Sequence, residues 1–521
     1  MVDERTLSSD PALAVFPARL RPTPDALSLP LPPDARRPTI AQRLPLIVGL
    51  GLVALAIVGT IYLSTLRWTG TERSPVALGI LRTQIIGGTA QVLVYVLAAA
   101  SVVFLLARRP TRRRVIVGAI AVVAGAGIGA GILFFIAVTN ALGVALSATT
   151  SAWVIAGFAG TALAVASFWS ARRWRTIGVA ISTILILIAG TLGVNADFGL
   201  DPTVGALVGV STLNTISLPV TKSTPDPIPT KLDGGALWAN WAAPADMPTV
   251  GTQTQVVLPN TVSGFKARPA GLYLPPAALV KNPPELPFMI MMMGQPGNPD
   301  PAITAAILNV FASRNHGLAP IMLVVDQIGN LGVDPLCLNT SEYGNAESYV
   351  TQDAVNWART HLHILQDPAH WTVAGYSNGG ECALYFGAKY PSIFGNVLDI
   401  SGEAYPGEDR APATLATVFH GNETAYRATW PQTILASGNY PNSEGIFTVS
   451  SNDLQYLPEA KAATTAALAA HWKTTFFEVP NGGHVLLALN AGFTEGCEVL
   501  YPRLGLSQPP GTATPTSTPS P

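Results

Sequence analysis

Five long runs of apolar residues, separated by short polar loops, dominate the first part of the chain. The runs cover residues 44–66, 85–107, 115–138, 151–169 and 176–194. Each is close to the roughly 20 residues that a helix needs to cross the hydrocarbon core of a bilayer. The pattern predicts about five transmembrane helices over residues 41–196. The first run lies too far along the chain, and is too closely followed by others, for a cleaved signal peptide.

Arginines in the polar loops indicate how these helices are oriented. Clusters lie at residues 108–114 and 172–175, whereas the loop 140–150 carries no charge. Positively charged loops stay on the cytoplasmic side, so we expect both clusters and the N-terminal tail inside. Everything after residue 195 should then lie outside the cell membrane. The arginines of the first loop oppose this assignment, and Glu72 offsets part of their charge.

The centres of the apolar runs contain no acidic residue and no histidine. Transporters and proton pumps usually place ionisable groups there, so the pattern favours a membrane anchor over a transporter. A regulatory or lipid-presenting role of the same helices is also compatible with the sequence.

From about residue 250, short apolar stretches alternate with helix-like segments. This alternation predicts a mostly parallel sheet with helices on both faces, an α/β domain over residues 250–508. Residues 197–249 are predicted to be an extracytoplasmic linker, which includes a proline-rich spacer at 217–230. The segments 1–40 and 509–521 have the composition of disordered tails.

The overall composition supports a membrane protein and argues against nucleic-acid binding. Apolar residues make up 49% of the chain and charged residues only 12%, against about 25% charged in soluble proteins. The net charge of −1 gives no electrostatic signal for nucleic acid.

Three cysteines without metal-type spacing allow at most one disulfide, and we expect Cys382 to be a buried free thiol. No metal site or cofactor motif is predicted.

The strongest chemical signal is Gly375-Tyr376-Ser377-Asn378-Gly379, the single G-x-S-x-G of the chain. A strand-like stretch precedes it and a helix-like stretch follows it. This context predicts a nucleophile elbow, in which a sharp turn lifts the Ser377 hydroxyl above the sheet. Glycines are needed because side chains beside the serine would collide with the turn or with the neighbouring strand.

A serine nucleophile requires a base, usually histidine, and an acid that orients the imidazole. On this fold both follow the serine, the acid first. Three histidines qualify. His484 lies in a glycine-rich loop directly after the predicted strand 474–479, where sites on open α/β sheets gather, and is therefore the predicted base. His471 ends a predicted helix, and His420 begins a polar loop.

Asp453 is the predicted acid, because it directly follows the predicted strand 445–449 and precedes the next helix. An aspartate at such a turn can equally be a simple helix-start residue. Glu444 and Glu403 remain competitors, and Asp399 lies inside an earlier strand.

The tetrahedral intermediate needs backbone N–H donors. One is expected from Asn378, the residue after the nucleophile, and the other from the loop after an early strand. The segment 293–299 fits that loop, and Gln295 is the predicted donor because Pro296 has no N–H. An ordinary Gly/Pro turn is the alternative interpretation of this segment.

The elbow, the loop at 293–297, the segment 345–353 and the sequence Gly482-Gly483-His484 together resemble the esterase D/antigen 85 (mycolyltransferase-like) family of α/β hydrolases. The resemblance covers about residues 250–505, and the membrane half resembles the anchors of some actinobacterial members. It implies Ser377 as nucleophile, His484 as base, and Gln295 and Asn378 as oxyanion donors, with Asp453 in the loosely matching position of the acid. Asn378 stands where the transferases carry methionine.

These observations predict a membrane-anchored, extracytoplasmic serine esterase that acts on carboxylic esters through an acyl-enzyme. One alternative is an acyltransferase that passes the acyl group to an envelope sugar or lipid. Another is a non-catalytic envelope scaffold or sensor, which the intact Ser, Asp and His set opposes. The expected partners are the lipid bilayer and an ester or acyl-lipid substrate.

Overall fold

A computed structural model describes most of the chain outside its N- and C-terminal segments. The described residues are 75–107, 111–139, 146–168, 173–199, 201–220, 236–330, 332–438, 440 and 442–509. The first apolar run, the predicted N-terminal tail and residues 510–521 of the predicted C-terminal tail lie outside them, so the predictions for those segments stay predictions.

Four long helices correspond to the second to fifth apolar runs, after a short helix α1 (Pro75–Leu81). They are α2 (Thr89–Leu106), α3 (Arg112–Thr139), α4 (Ala148–Phe168) and α5 (Arg173–Phe198). Helix α3 packs on α4, α4 on α5, and α5 on α2. Each is long and apolar enough to cross a membrane. Large apolar side chains, such as Val123 and Phe134 of α3, cover their outer surface, as helices in contact with lipid require.

The segment after α5 connects the helices to the sheet through backbone hydrogen bonds. It contains one helical turn, α6 (Val204–Leu207). The N–H of Ile85 donates to the Pro202 carbonyl, and the N–H of Ile216 donates to the Gln255 carbonyl in the first strand. This part of the predicted linker is therefore packed between the helices and the α/β domain. Residues 221–235 lie outside the described part of the chain.

The α/β domain is built on an eight-stranded sheet with the order β1-β2-β4-β3-β7-β8-β9-β10. The strands are β1 (Thr252–Val256), β2 (Ala270–Leu274), β3 (Phe288–Met292), β4 (Ile321–Val325), β7 (Trp371–Tyr376), β8 (Asn396–Ile400), β9 (Glu444–Ser450) and β10 (Lys473–Val479). Strands β1 and β2 are antiparallel, and the six strands from β4 to β10 run parallel. A separate small ribbon pairs β5 (Asn339–Thr340) with β6 (Gly344–Asn345).

Helices cover both faces of this sheet. One face carries α8 (Ala302–Arg314) and α16 (Leu486–Arg503), which contact each other. The other carries α11 (Asn378–Lys389), α14 (Pro431–Ala436) and α15 (Tyr456–Ala469). The shorter helices are α7 (Leu237–Asn240), α9 (Ala346–Ser348), α10 (Val355–His361), α12 (Ala411–Thr417) and α13 (Glu423–Arg427).

The central strands are buried on both faces, as parallel strands between two helix layers must be. Every residue of β3, β4, β7 and β8 is buried. The methionines of β3 are part of this core, which agrees with their interpretation as a buried strand. The predicted fold class, an α/β-hydrolase sheet preceded by a helical region, is confirmed.

One prediction about the cysteines is wrong. Cys382, on the helix that follows the elbow, forms a disulfide with Cys337 across 45 residues of sequence, and Cys497 is the buried free thiol. The sequence contained no signal for this pair, because α11 and the loop after β4 meet only in the folded domain.

We expect the Cys337→Ala/Cys382→Ala double variant to lower the free energy of unfolding. Closing a loop of this length stabilises a chain by up to about 4 kcal/mol in the chain-entropy model, and measured losses are roughly 2–4 kcal/mol. Thermal unfolding of the detergent-solubilised full chain measures the effect. A reducing agent should lower the Tm of the wild type and leave that of the variant unchanged. Equal melting temperatures of oxidised wild type and variant would contradict the role of this bond.

Candidate active site

The carboxyl ends of the parallel strands meet at one edge of the sheet, and the candidate residues follow four of those ends. The loop containing Gln295 follows β3, Ser377 follows β7, Asp453 follows β9, and His484 follows β10. Parallel pairing therefore gathers residues that are up to 190 positions apart, at the edge where open α/β sheets form their sites.

Ser377 occupies a sharp turn between β7 and α11. Its backbone angles are φ 56° and ψ −125°, a region that residues other than glycine rarely adopt and that costs about 1–3 kcal/mol. A Cβ at Gly375 would lie 1.8 Å from the Gly379 carbonyl oxygen, and one at Gly379 would lie 2.3 Å from the Met292 carbonyl oxygen. Both positions thus require glycine, which explains the spacing of the motif around the serine.

The three predicted triad residues lie within hydrogen-bond distance of one another. His484 Nε2 is 2.8 Å from Ser377 Oγ, and His484 Nδ1 is 2.7 Å from Asp453 Oδ2. Asp453 is 3% exposed and His484 is 7% exposed. In this geometry the imidazole can take the serine proton, while the carboxylate fixes the tautomer and stabilises the imidazolium.

Two tyrosine rings hold the imidazole in place. The ring of Tyr456 stacks on His484 with centroids 4.3 Å apart, and that of Tyr376 does so at 5.3 Å. Burial raises the pKa of both phenols above its ordinary value, so they stay uncharged beside the histidine. This contact was not predicted from the sequence, although Tyr376 lies inside the motif itself.

Polar residues just before Asp453 connect its loop to the loop that contains His484. The Gly483 N–H donates to Ser450 Oγ and to Asn452 Oδ1, each at 2.8 Å. The Asn481 N–H donates to Ser451 Oγ at 2.9 Å. The run of polar residues after β9 was visible in the sequence, but its partners 30 positions later were not.

Asp453 also has the structural role that was the alternative interpretation. Its Oδ1 accepts a hydrogen bond from the Tyr456 N–H at the start of α15, at 3.4 Å. One carboxylate oxygen thus faces the helix start and the other faces His484, so the two interpretations of this residue are compatible.

The competing residues form no hydrogen bond with His484 in the described part of the chain, where its partners are Asp453 and Ser377. Glu444 begins β9 at the opposite edge of the sheet, where it pairs with Arg503. Burial, followed by repulsion from Asp334, raises the pKa of Glu403 well above its usual value. Asp399 accepts a hydrogen bond from the Gly402 N–H at 2.9 Å, and burial raises its pKa to about 7. The triad geometry includes none of the three, and it includes neither His420 nor His471.

The two predicted oxyanion donors belong to segments that are in close contact. A Cβ at Gly294 would lie 3.1 Å from the Ser377 Cβ, so the loop after β3 packs directly against the elbow. Gln327 links the two segments, since its Nε2 donates to the Met293 carbonyl and to Asn378 Oδ1. Neither the Gln295 N–H nor the Asn378 N–H has a hydrogen-bond partner among the described residues.

The loop that contains Gln295 is held by hydrogen bonds on two sides. Arg268 forms an ion pair with Asp326 at 2.6 Å and donates to the Gly297 carbonyl and to Asn298 Oδ1. From the other side, Asn298 Nδ2 donates to the Ala206 carbonyl at 2.9 Å, in the segment that leaves the helical bundle. This second contact could not be predicted while residues 197–249 were taken as a linker.

A cavity of about 870 Å³ adjoins Ser377 and His484. Its walls come from the loop 294–298, from the segment after α5, and from α4 and α5 themselves. The volume is typical of sites for small molecules. The space beside Ser377 is thus formed jointly by the α/β domain and by the helical bundle.

Comparison with known proteins identifies a family match within the α/β domain. Residues 268–475 match the family described as "Putative esterase". The chain is also 28% identical over 333 residues to an uncharacterized protein of Corynebacterium glutamicum, covering 60% of this chain and 73% of that protein. The family match lies within the α/β domain and supports hydrolase activity there.

Two solved structures are similar over about half of this chain. An S-formylglutathione hydrolase from Agrobacterium tumefaciens is 16% identical with a TM-score of 0.41, covering 50% of this chain and 98% of that one. A ferulic acid esterase from Anaeromyces mucronatus is 15% identical with a TM-score of 0.36, covering 54% and 96%.

We expect Asp453→Asn to lower kcat/KM for 4-nitrophenyl acetate by roughly 10³–10⁴-fold, because the amide favours the wrong histidine tautomer. Glu444→Gln is the matched control and should stay within about twofold of the wild type. Near-wild-type activity of Asp453→Asn, together with loss of activity in Glu403→Gln, would show that the acid is assigned incorrectly.

The raised pKa of Asp399 predicts a pH-dependent effect on stability. In the folded chain this carboxyl keeps its proton up to about pH 7, whereas in the unfolded chain it ionises near pH 4. Ionisation of Asp399 therefore destabilises the folded chain increasingly as the pH rises between these two values. The free energy of unfolding of Asp399→Asn relative to that of the wild type should increase from pH 5 to pH 8, by at most about 3 kcal/mol. The difference in Tm between the two proteins, measured at each pH, follows this increase. The exposed Glu423→Gln control should show no such increase, and a pH-independent difference would refute the prediction.

Proposed function

We propose that this protein is a membrane-anchored serine esterase whose catalytic domain lies outside the cytoplasm. The observation that carries the proposal is the continuous hydrogen-bonded series Ser377, His484 and Asp453, at 2.8 and 2.7 Å. The esterase family match over residues 268–475 supports the same reaction class, and both oppose the scaffold alternative.

In the first half of the reaction, Ser377 Oγ attacks the ester carbonyl carbon while His484 Nε2 takes the hydroxyl proton. The N–H groups of Gln295 and Asn378 would donate to the oxygen that becomes negatively charged. The carbon–oxygen bond to the alcohol then breaks, and His484 returns the proton to the leaving alkoxide. This leaves an acyl group on Ser377 and a free alcohol.

In the second half, His484 removes a proton from water as the water oxygen attacks the acyl-enzyme. The bond to Ser377 Oγ breaks, the serine recovers its proton from His484, and the carboxylic acid is released. Transfer to another hydroxyl follows the same steps with an alcohol in place of water. The acyltransferase alternative thus uses the same residues and remains a prediction about the acceptor.

Two observations support the location. Arginines lie at the starts of α3 and α5, whereas the α/β domain follows the opposite end of α5, and arginine-rich ends favour the cytoplasm. The Cys337–Cys382 disulfide is also typical of oxidising compartments outside the cytoplasm.

Labelling with a membrane-impermeant fluorophosphonate–biotin probe tests nucleophile and location together. Spheroplasts that express the full chain should become labelled at this protein, and Ser377→Ala should not. Ser437→Ala, at an exposed serine of the same domain, serves as the matched control and should label like the wild type. In parallel, the wild type should hydrolyse 4-nitrophenyl butyrate in detergent.

The possible outcomes separate the two parts of the proposal. Labelling only after lysis would overturn the location and leave the esterase assignment intact. Absence of labelling in the lysate, or equal labelling of Ser377→Ala, would overturn the assignment of Ser377. Comparing free acid with acylated sugar in the presence of sugar acceptors distinguishes hydrolysis from transfer.

A further inference from the structure

The cavity at Ser377 extends away from the α/β domain and into the helical bundle. Its lining on α4 runs from Trp153 to Thr161, and its lining on α5 runs from Phe198 back to Leu187. At 1.5 Å per residue, these stretches are about 12 and 16 Å long. A hydrocarbon core is about 30 Å thick, so the cavity reaches from the end of α5 near the catalytic domain to about the middle of the bundle.

The polarity of the lining changes along this length. Near Ser377, Gln295 and Asn298 border the cavity, together with the carboxyl residue Asp201. Deeper in the bundle the lining is mostly apolar and includes Val154, Phe158, Leu187 and Val194, while Thr161 and Thr191 are its polar members there. A molecule that fits this gradient has a polar ester group at one end and a hydrocarbon chain at the other.

Two facing glycines leave space between α4 and α5, because neither carries a side chain. A Cβ at Gly157 would meet no atom within 4 Å, so this position borders open space. A Cβ at Gly190 would lie 3.8 Å from the Gly157 Cα, so the two helices face each other without side chains at this point. The cavity also has an open side, since Leu187 is 52% exposed and Phe158 is 39% exposed.

The bundle is in direct contact with the catalytic loops. Gly199, at the end of α5, lies so close to Leu486 that an added Cβ would be 2.2 Å from the Leu486 Cβ. Leu486 is two residues beyond His484. Asn298, in the predicted oxyanion loop, donates to the Ala206 carbonyl just after α5. These contacts set the position of the cavity relative to the reacting atoms.

We propose that the groove between α4 and α5 is the acyl-chain site of the enzyme, and that the substrate is a long-chain lipid ester taken directly from the bilayer. The inference rests on the proposed esterase function of Ser377. The chain enters sideways through the open side at Leu187 and Phe158, and the ester carbonyl reaches Ser377 at the polar end. The membrane helices thereby form part of the substrate site as well as anchoring the domain.

The first test maps where a substrate chain lies in the unmodified protein. A long-chain alkyl fluorophosphonate with a diazirine at the chain end is allowed to label Ser377 in the full chain in lipid nanodiscs. After irradiation, we expect cross-links in the peptides of α4 and α5 that contain residues 153–161 and 187–198. Cross-links confined to the α/β domain would overturn the proposal.

The second test fills the groove. Gly157→Phe should lower the octanoate-to-acetate ratio of kcat/KM, measured with the two 4-nitrophenyl esters, at least tenfold. Each buried methylene of the acyl chain contributes a factor of about four to kcat/KM, and the phenylalanine would prevent this burial. Gly131→Phe is the matched control on α3, where an added Cβ also meets no atom within 4 Å and the position is exposed. It should leave the ratio unchanged.

Each result bears on a distinct claim. An unchanged octanoate-to-acetate ratio in Gly157→Phe would overturn the acyl-chain site while leaving an active esterase. If Gly157→Phe is inactive toward both esters, Gly157→Leu and the cross-linking map decide. Absence of fluorophosphonate labelling at Ser377 in the wild type would instead refute the proposed function on which the inference rests.

Discussion

Parallel pairing of the central strands is the constraint on which the site depends. Because β3, β7, β9 and β10 all run in one direction, the loops at their carboxyl ends share one edge. Hydrogen bonds in the sheet thus fix the distances between residues from four separate parts of the chain. The hydrogen bonds from Gly483 to Ser450 and Asn452 then connect the loop of His484 to the loop of Asp453, so these two residues, which follow the last two strands, are positioned together.

The elbow adds local strain to this framework. Ser377 keeps its unusual backbone angles because Gly375 and Gly379 pack within van der Waals distance of neighbouring backbone, and because its N–H donates to the Ile400 carbonyl of β8. The neighbouring strands β3 and β8 thus hold the turn from both sides. The cost of the strained residue is offset by the buried core of the sheet, which explains why such a turn occurs at the centre of the domain.

The sequence predicted those parts of the structure that depend on local patterns. Alternating apolar stretches predicted the sheet, four long apolar runs predicted α2 to α5, and chain order led to Asp453 and His484. The rest depends on contacts between distant segments. The Cys337–Cys382 bond, the stacking of Tyr456 on His484, and the brace between Asn298 and Ala206 each join elements whose proximity no short motif records. Gly157 and Gly190 are ordinary residues for a membrane helix, and their importance appears only where α4 and α5 face each other.

Asn298 shows why the helical bundle and the catalytic domain should be considered one structural unit. Its side-chain oxygen accepts from Arg268, within the α/β domain, while its side-chain nitrogen donates to Ala206, next to the bundle. The same loop carries Gln295. Asn298 is partly buried, and a partly buried amide that loses one of its hydrogen-bond partners is destabilised, since its desolvation is no longer fully compensated. The position of the predicted oxyanion donor therefore depends on the bundle as well as on the sheet. An anchor that only tethered the domain would need no such contact, whereas helices that present a substrate chain to Ser377 require a fixed position relative to this loop.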